Sequence, residues 1–235
     1  MESLLSWINS LKSTINKYDE EHLINIKVLY LDNNLLIKIP KELSLLINLK
    51  ELYLNNNQLT KIPKKLSLLT NLKILDFYNN QLIKIPKELS LLINLERLDI
   101  SHNQLTKIPN IFLKLINLER LNLNNNQLTK IPKELSQLIN LNILHLSNNQ
   151  LTEIPNIFLK LINLKSLFLG SNPGITTPSR FNYLGFVIII NKLQNYLLIK
   201  KYYTKWRAII ISKRSPKSYK EILILQSYIS RRFII

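Results

Sequence analysis

Residues 49–71 read LKELYLNNNQLTKIPKKLSLLTN, and the same 23-residue pattern recurs on both sides without a gap. Units begin at Ile26, Leu49, Leu72, Leu95, Leu118 and Leu141, with a degraded seventh at Leu164. Each fits LxxLxLxxNxLxxIPxxLxxLxN. Fixed self-similarity at such a period is the signature of a solenoid.

Within one unit the apolar spacing changes period. Leu52 and Leu54 flank Tyr53, so the leucines face one side of a short strand while Glu51, Tyr53 and Asn55 face the other. After Ile62-Pro63, Leu66 and Leu69 come three apart, which fits one or two helical or 3₁₀ turns with proline at their start. A single unit cannot bury its own leucines. Stacked units share them, forming a parallel sheet on a concave side and a shell of short turns on a convex side.

Asn57 recurs as Asn34, Asn80, Asn103, Asn126, Asn149 and Asn172, where the chain leaves each strand and loses its ladder hydrogen bonds. An inward amide can satisfy those orphan backbone groups in its own and the neighbouring turn. The column therefore reads as a buried asparagine ladder. Asn55 and Asn56 are taken as surface residues of an asparagine-rich chain.

On these motifs the chain resembles the leucine-rich repeat family, in its 23-residue class with Ile-Pro at mid-unit, like the intracellular scaffolds related to plant Ras-group and Ras-pathway proteins. The resemblance covers Ile26 to about Leu184. It implies an α/β solenoid: a horseshoe with a concave parallel β-sheet, short helical or 3₁₀ convex turns and helical caps at both ends. It also implies a concave face that binds other proteins, in the setting of signal transduction. It brings no catalytic residues and no cofactor.

Composition narrows the setting. With 46% hydrophobic residues in 235, the chain can bury one sizeable core with its caps. It has no cysteine, which excludes a disulfide-capped ectodomain, a thiolate zinc site and a cysteine nucleophile. No basic segment followed by an apolar run marks the N-terminus as a secretory signal, and no apolar run approaches a membrane span. A cytoplasmic location is expected. The abundance of Asn, Ile and Lys beside one alanine and three glycines points to an AT-rich genome. The net charge of +17 is uneven: residues 1–25 carry −2, 26–184 carry +9 and 185–235 carry +10.

The expected domains follow. Residues 1–25 form an N-terminal helical cap, with Leu4, Ile8, Leu11 and Ile15 on one face and Asp19-Glu20-Glu21 marking a polar turn into the first strand. Residues 26–184 form the solenoid. Residues 185–235 form a basic, apolar-rich C-terminal cap or tail of one or two helices, opening with the apolar run 186–190. Repeats four and six carry Phe112 and Phe158 inside and Ile111 and Ile157 outside. A lysine column, Lys38, Lys61, Lys84, Lys107 and Lys130, edges the turns.

The outward positions of successive strands define the candidate site. The centre column is Tyr30, Tyr53, Asp76, Asp99, Asn122, His145 and Phe168. One flank includes Arg97 and Arg120, and the other includes Tyr78 and Ser101. Tyr30, Tyr53 and Tyr78 are the expected apolar anchors, because aromatics dominate binding hot spots. Asp76, Asp99, Arg97 and Arg120 set specificity, the arginines neutralising the carboxylates, and His145 and Phe168 complete the face. An open, wet sheet lacks the enclosed pocket that chemistry needs. Neither an enzyme, a metal site nor a small-molecule substrate is expected. The expected partner is a protein on the concave sheet; the alternative is that the basic tail brings the module to an anionic membrane or nucleic acid.

Overall fold

The computed structural model of the chain describes residues 2–11, 18–109, 114–153, 156–173, 175 and 188–189. Seven three-residue strands, β1 (Val28–Tyr30), β2 (Glu51–Tyr53), β3 (Ile74–Asp76), β4 (Arg97–Asp99), β5 (Arg120–Asn122), β6 (Ile143–His145) and β7 (Ser166–Phe168), pair in parallel in chain order. Each register step is one repeat, so Tyr30 faces Tyr53, Tyr53 faces Asp76 and Asp76 faces Asp99. A 23-residue sequence period has thus become columns of side chains one strand spacing apart, about 4.8 Å.

Among the described residues the return path of five repeats is a 3₁₀ turn: Lys41–Leu45, Lys64–Leu68, Lys87–Leu91, Lys133–Gln137 and Asn156–Lys160. Pro63 precedes the second of these with φ −67° and ψ 137°, and its carbonyl accepts from Leu66 N at 3.0 Å. Proline fixes the φ needed there and forfeits no ladder bond. The apolar spacing buries one whole set per repeat: Leu52, Leu54, Leu59, Ile62, Leu66, Leu69 and Leu72 all lie inside. Truncating one to alanine in so regular a core typically costs about 2–5 kcal/mol. Phe158 is fully buried, as its place in repeat six requires, and Ile157 is half-buried. Ile111 and Phe112 lie outside the described residues.

The N-terminal region departs from the expected single helix. Helix α1 spans Glu2–Asn9 and a second helix, α2, spans Glu20–Asn25. The acidic segment expected to be a polar turn is the start of α2, because Asp19 accepts from His22 N at 2.8 Å as its N-cap and Glu20 and Glu21 suit the positive end of the helix dipole. The Asn9 side chain ties the two together, donating to Tyr18 O and accepting from Tyr18 N at 2.9 and 2.8 Å. Leu4, Ile8 and Leu23 are buried, while Leu11 lies beyond α1 and is half-buried. Ile15 lies outside the described residues.

At Ile188–Ile189, in the apolar run expected to open a helical tail, the chain is a strand, β8, antiparallel to β7. An unbroken β-branched run favours the extended state over a helix. Chain contacts divide the molecule into 1–190 and 191–235. The remainder of the basic tail lies outside the described residues, as do Gly174 and the in-register residues Pro178, Phe181 and Leu184.

Candidate concave binding face

Each of β1 to β7 ends in the same turn, and the turn sets the geometry of the face. Six ladder asparagines, Asn57, Asn80, Asn103, Asn126, Asn149 and Asn172, are buried, and Asn34 at the first repeat is half-buried. Asn103 shows the pattern. Its Oδ1 accepts from Leu82 N at 2.8 Å, and its Nδ2 donates to Phe77 O, Ile100 O and Ser101 O at 2.9, 3.3 and 3.1 Å. Each amide thus fastens its own turn to the repeat before it.

Two features of the segments on either side of each strand escape the sequence reading. The residue before each ladder asparagine has positive φ: Asn33, Asn56, Asn79, His102, Asn125, Asn148 and Ser171 lie between 52° and 57°. Asparagine and histidine are among the non-glycine residues that best tolerate this region. Asn56 is therefore not compositional filler, which corrects the expectation above, and it also accepts from Asn79 Nδ2 at 2.9 Å. The second feature is another asparagine ladder. Asn71, Asn94, Asn117, Asn140 and Asn163 each donate Nδ2 to a carbonyl of the preceding repeat, and Asn48 to Ile24 O of α2, at 2.8–3.1 Å. The consensus contains this residue as its final N, and its unbroken recurrence is the signal that could have found it.

On the sheet the aromatic columns come together as their register demands. Tyr30 and Tyr53 stack, with ring centroids 4.9 Å apart and planes 10° apart, and Tyr30 is 58% exposed. Tyr53 donates its hydroxyl to Glu51 Oε2 at 2.7 Å. Burial and that carboxylate raise the Tyr53 phenol to a pKa of about 12. At the other end His145 stacks on Phe168 at 4.1 Å, and burial lowers its pKa, opposed by the Asp99 charge. Tyr78 stands apart from the other tyrosines, edge-on to His102 at 5.0 Å.

Between the aromatic ends lies a shallow depression of about 280 Å³, to which Tyr53, Asp76, Arg97, Asp99, Arg120 and Asn122 contribute. Burial, with weaker repulsion from Asp99 and Asp32, raises Asp76 to a pKa of about 6 against the opposing bond from Tyr78 N, 2.7 Å away. The expected neutralisation by arginine does not occur. No ion pair joins Arg97 or Arg120 to Asp76 or Asp99 among the described residues. Asp99 is already occupied. It accepts from Ser101 N, Ser101 Oγ and Asn122 Nδ2 at 2.8, 2.5 and 2.7 Å. Ser101, expected to face solvent, is instead 1% exposed: these bonds draw it under the face. Neither the described residues nor their arrangement assembles a group of three metal-ligating side chains.

The family model for leucine-rich repeats matches residues 47–105, 93–151 and 116–173, more than half of the chain. The chain belongs to the leucine-rich repeat family. A solved leucine-rich repeat protein of Leptospira interrogans is similar at 44% identity and a TM-score of 0.63, over 65% of this chain and 39% of that one. An internalin from Listeria monocytogenes is similar at 28% identity and a TM-score of 0.52, over 74% of this chain and 57% of that one. The chain thus spans less than two thirds of either protein. No curated protein matches it. Members of the family generally mediate protein–protein interaction. Among the described residues no helix is long and apolar enough to cross a membrane.

Proposed function

We infer that this chain is a non-enzymatic interaction module that holds a partner protein on its concave sheet, in an intracellular setting consistent with its lack of cysteine. The observation that carries this reading is the stacked pair Tyr30–Tyr53, with Tyr30 exposed and Tyr53 half-buried, at one end of a sheet whose backbone is fixed by buried asparagines. The core does not use this pair, and the face that bears it is already ordered. Binding there forgoes most of the ordering cost that a flexible surface incurs. Tyr30, Tyr53 and Tyr78 act as anchors. Asp76, Asp99, Arg97 and Arg120, unpaired with one another, offer charge of both signs for specificity, and His145 with Phe168 bounds the face at its far end.

The test replaces Tyr30 and Tyr53 together by serine. Truncating one good aromatic anchor costs about 2 kcal/mol or more, so the pair should weaken the principal complex several hundred-fold. Thermal stability should hold. Affinity capture from a lysate, comparing the intact chain with the double variant, reads this out; undiminished capture of the same partner at normal stability moves the site off this end of the sheet.

A further inference from the structure

A different surface, the edge at which the chain enters each strand, carries two patterns that the concave reading does not use. The first is apolar. Ile24, Ile47, Thr70, Ile93, Ile116, Ile139 and Ile162 recur every 23 residues, and the six isoleucines are 44–74% exposed. Each directly precedes an outer-ladder position, where Asn48, Asn94 and Asn140 hold the adjoining turns rigid. An apolar ridge of six isoleucines, broken only at Thr70, on an edge held by the outer asparagines marks an interaction surface.

The second pattern is electrostatic. The residue just before each strand reads Lys27, Lys50, Lys73, Glu96, Glu119, Asn142 and Lys165. The column is basic over its first three steps and acidic over the next two. The sign changes between Lys73 and Glu96, which pair with each other at 2.6 Å. Lys50 and Glu119, one step farther out on either side, have no ion-pair partner among the described residues. Glu96 and Glu119 also line a polar hollow of about 240 Å³ with outer-ladder Asn117 and Asn140, which puts both patterns on one edge.

We propose that this edge binds a second copy of the chain, antiparallel, about a two-fold axis passing between the repeats of Lys73 and Glu96. A two-fold contact is self-complementary, so each residue must meet a suitable mate on the same column. An axis at the sign change meets that condition. It sets Lys50 of one copy against Glu119 of the other, twice, and Lys73 against Glu96, while Ile47 meets Ile116 and Ile24 meets Ile139. Both curved sheets then open to the same side, leaving their concave faces free side by side. A parallel arrangement fails, because like charges would meet along the column.

The contact is one narrow strip, which belongs to the small, transient class of interfaces, so a Kd in the range of about 10–100 µM is expected. Sedimentation equilibrium of the full chain at low salt, up to several hundred micromolar, should show reversible monomer–dimer exchange. K50E and E119K should each weaken it about tenfold or more, since each variant sets like charges together twice. An equimolar mixture of the two variants should recover dimerisation, because in the mixed dimer both contacts are again of opposite sign; this recovery also excludes misfolding as the cause of the single losses. A monomer at all concentrations, or association that neither variant weakens, overturns the proposal.

Discussion

The inner and outer asparagine ladders make the same bond in different surroundings. Asn103 Nδ2 reaches Phe77 O at 2.9 Å and Asn94 Nδ2 reaches Thr70 O at 2.9 Å, each linking a repeat to the one before it. Asn103 is buried and Asn94 is exposed. The length of that bond is held constant, while access to water and the number of bonds made by the amide, four for Asn103 and one for Asn94, both differ. Hydrogen bonds exchanged with solvent are worth little net, whereas a buried group stripped of its partner bears its full desolvation cost. The inner ladder is therefore expected to stabilise the solenoid, and the outer one to set the angle of its turns.

The largest effect should come from Asn103→Ala. The change strands Leu82 N and removes the donor to three carbonyls, in a central repeat whose neighbours on both sides depend on it. A loss of about 2–3 kcal/mol in urea unfolding is expected, at the upper end for unsatisfied buried polar groups. A loss under about 0.5 kcal/mol would mean that water reaches the turn and that burial does not separate the ladders.

Asp76 lies between the two extremes, half-buried and charged, and extends the comparison to an ionised group. Its folded pKa of about 6 exceeds its ordinary value of 3.8, so the native state binds the proton more tightly than the unfolded chain. The sign follows. Its contribution falls as pH rises from about 4 to 6 and stays unfavourable above that. Asp76→Asn keeps an oxygen to accept from Tyr78 N and removes the charge. At pH 7.5 the variant should gain about 1 kcal/mol, and the gain should vanish near pH 3.5. Thermal melts across that range read it; a variant that loses stability at pH 7.5 would show that the carboxylate has a cationic partner.

The fold was legible because every repeat restates it. A single Leu-x-Leu or Ile-Pro decides little, but six copies at one spacing leave a parallel sheet, a 3₁₀ return and an inward asparagine as the arrangement that buries all of them. The stacking of Tyr30 on Tyr53 and of His145 on Phe168 was legible for the same reason, since register carries a column directly into contact. What was not legible departs from strict alternation or depends on backbone angle. Ser101 holds an outward position by parity yet is buried, with its amide and hydroxyl both donated to Asp99, a local bond that alternation alone does not reveal. Asn56 resembles surface asparagine until φ is known. Arg97 looks like a mate for Asp99 until Ser101 and Asn122 are seen to occupy that carboxylate.

The smallest effect is the most discriminating. Asn94→Ala removes a 2.9 Å bond to Thr70 O that matches the buried one in length, but its carbonyl partner lies at a surface that water reaches. Solvent can replace the lost donor, so the expected cost is about 0.5 kcal/mol or less, the usual range for exposed substitutions. Unfolding in urea beside Asn103→Ala compares the two directly, and an unchanged denaturant slope confirms that both act on the same folded state. Replacing Asn71, Asn94 and Asn117 together should cost no more than three such increments. A triple loss near that of Asn103→Ala alone, with each single change still small, would show instead that the outer ladder acts cooperatively along the edge, since coupled neighbours depart from additivity and independent sites do not. In that case the rigidity of the isoleucine ridge would rest on the array as a whole, not on each amide in turn.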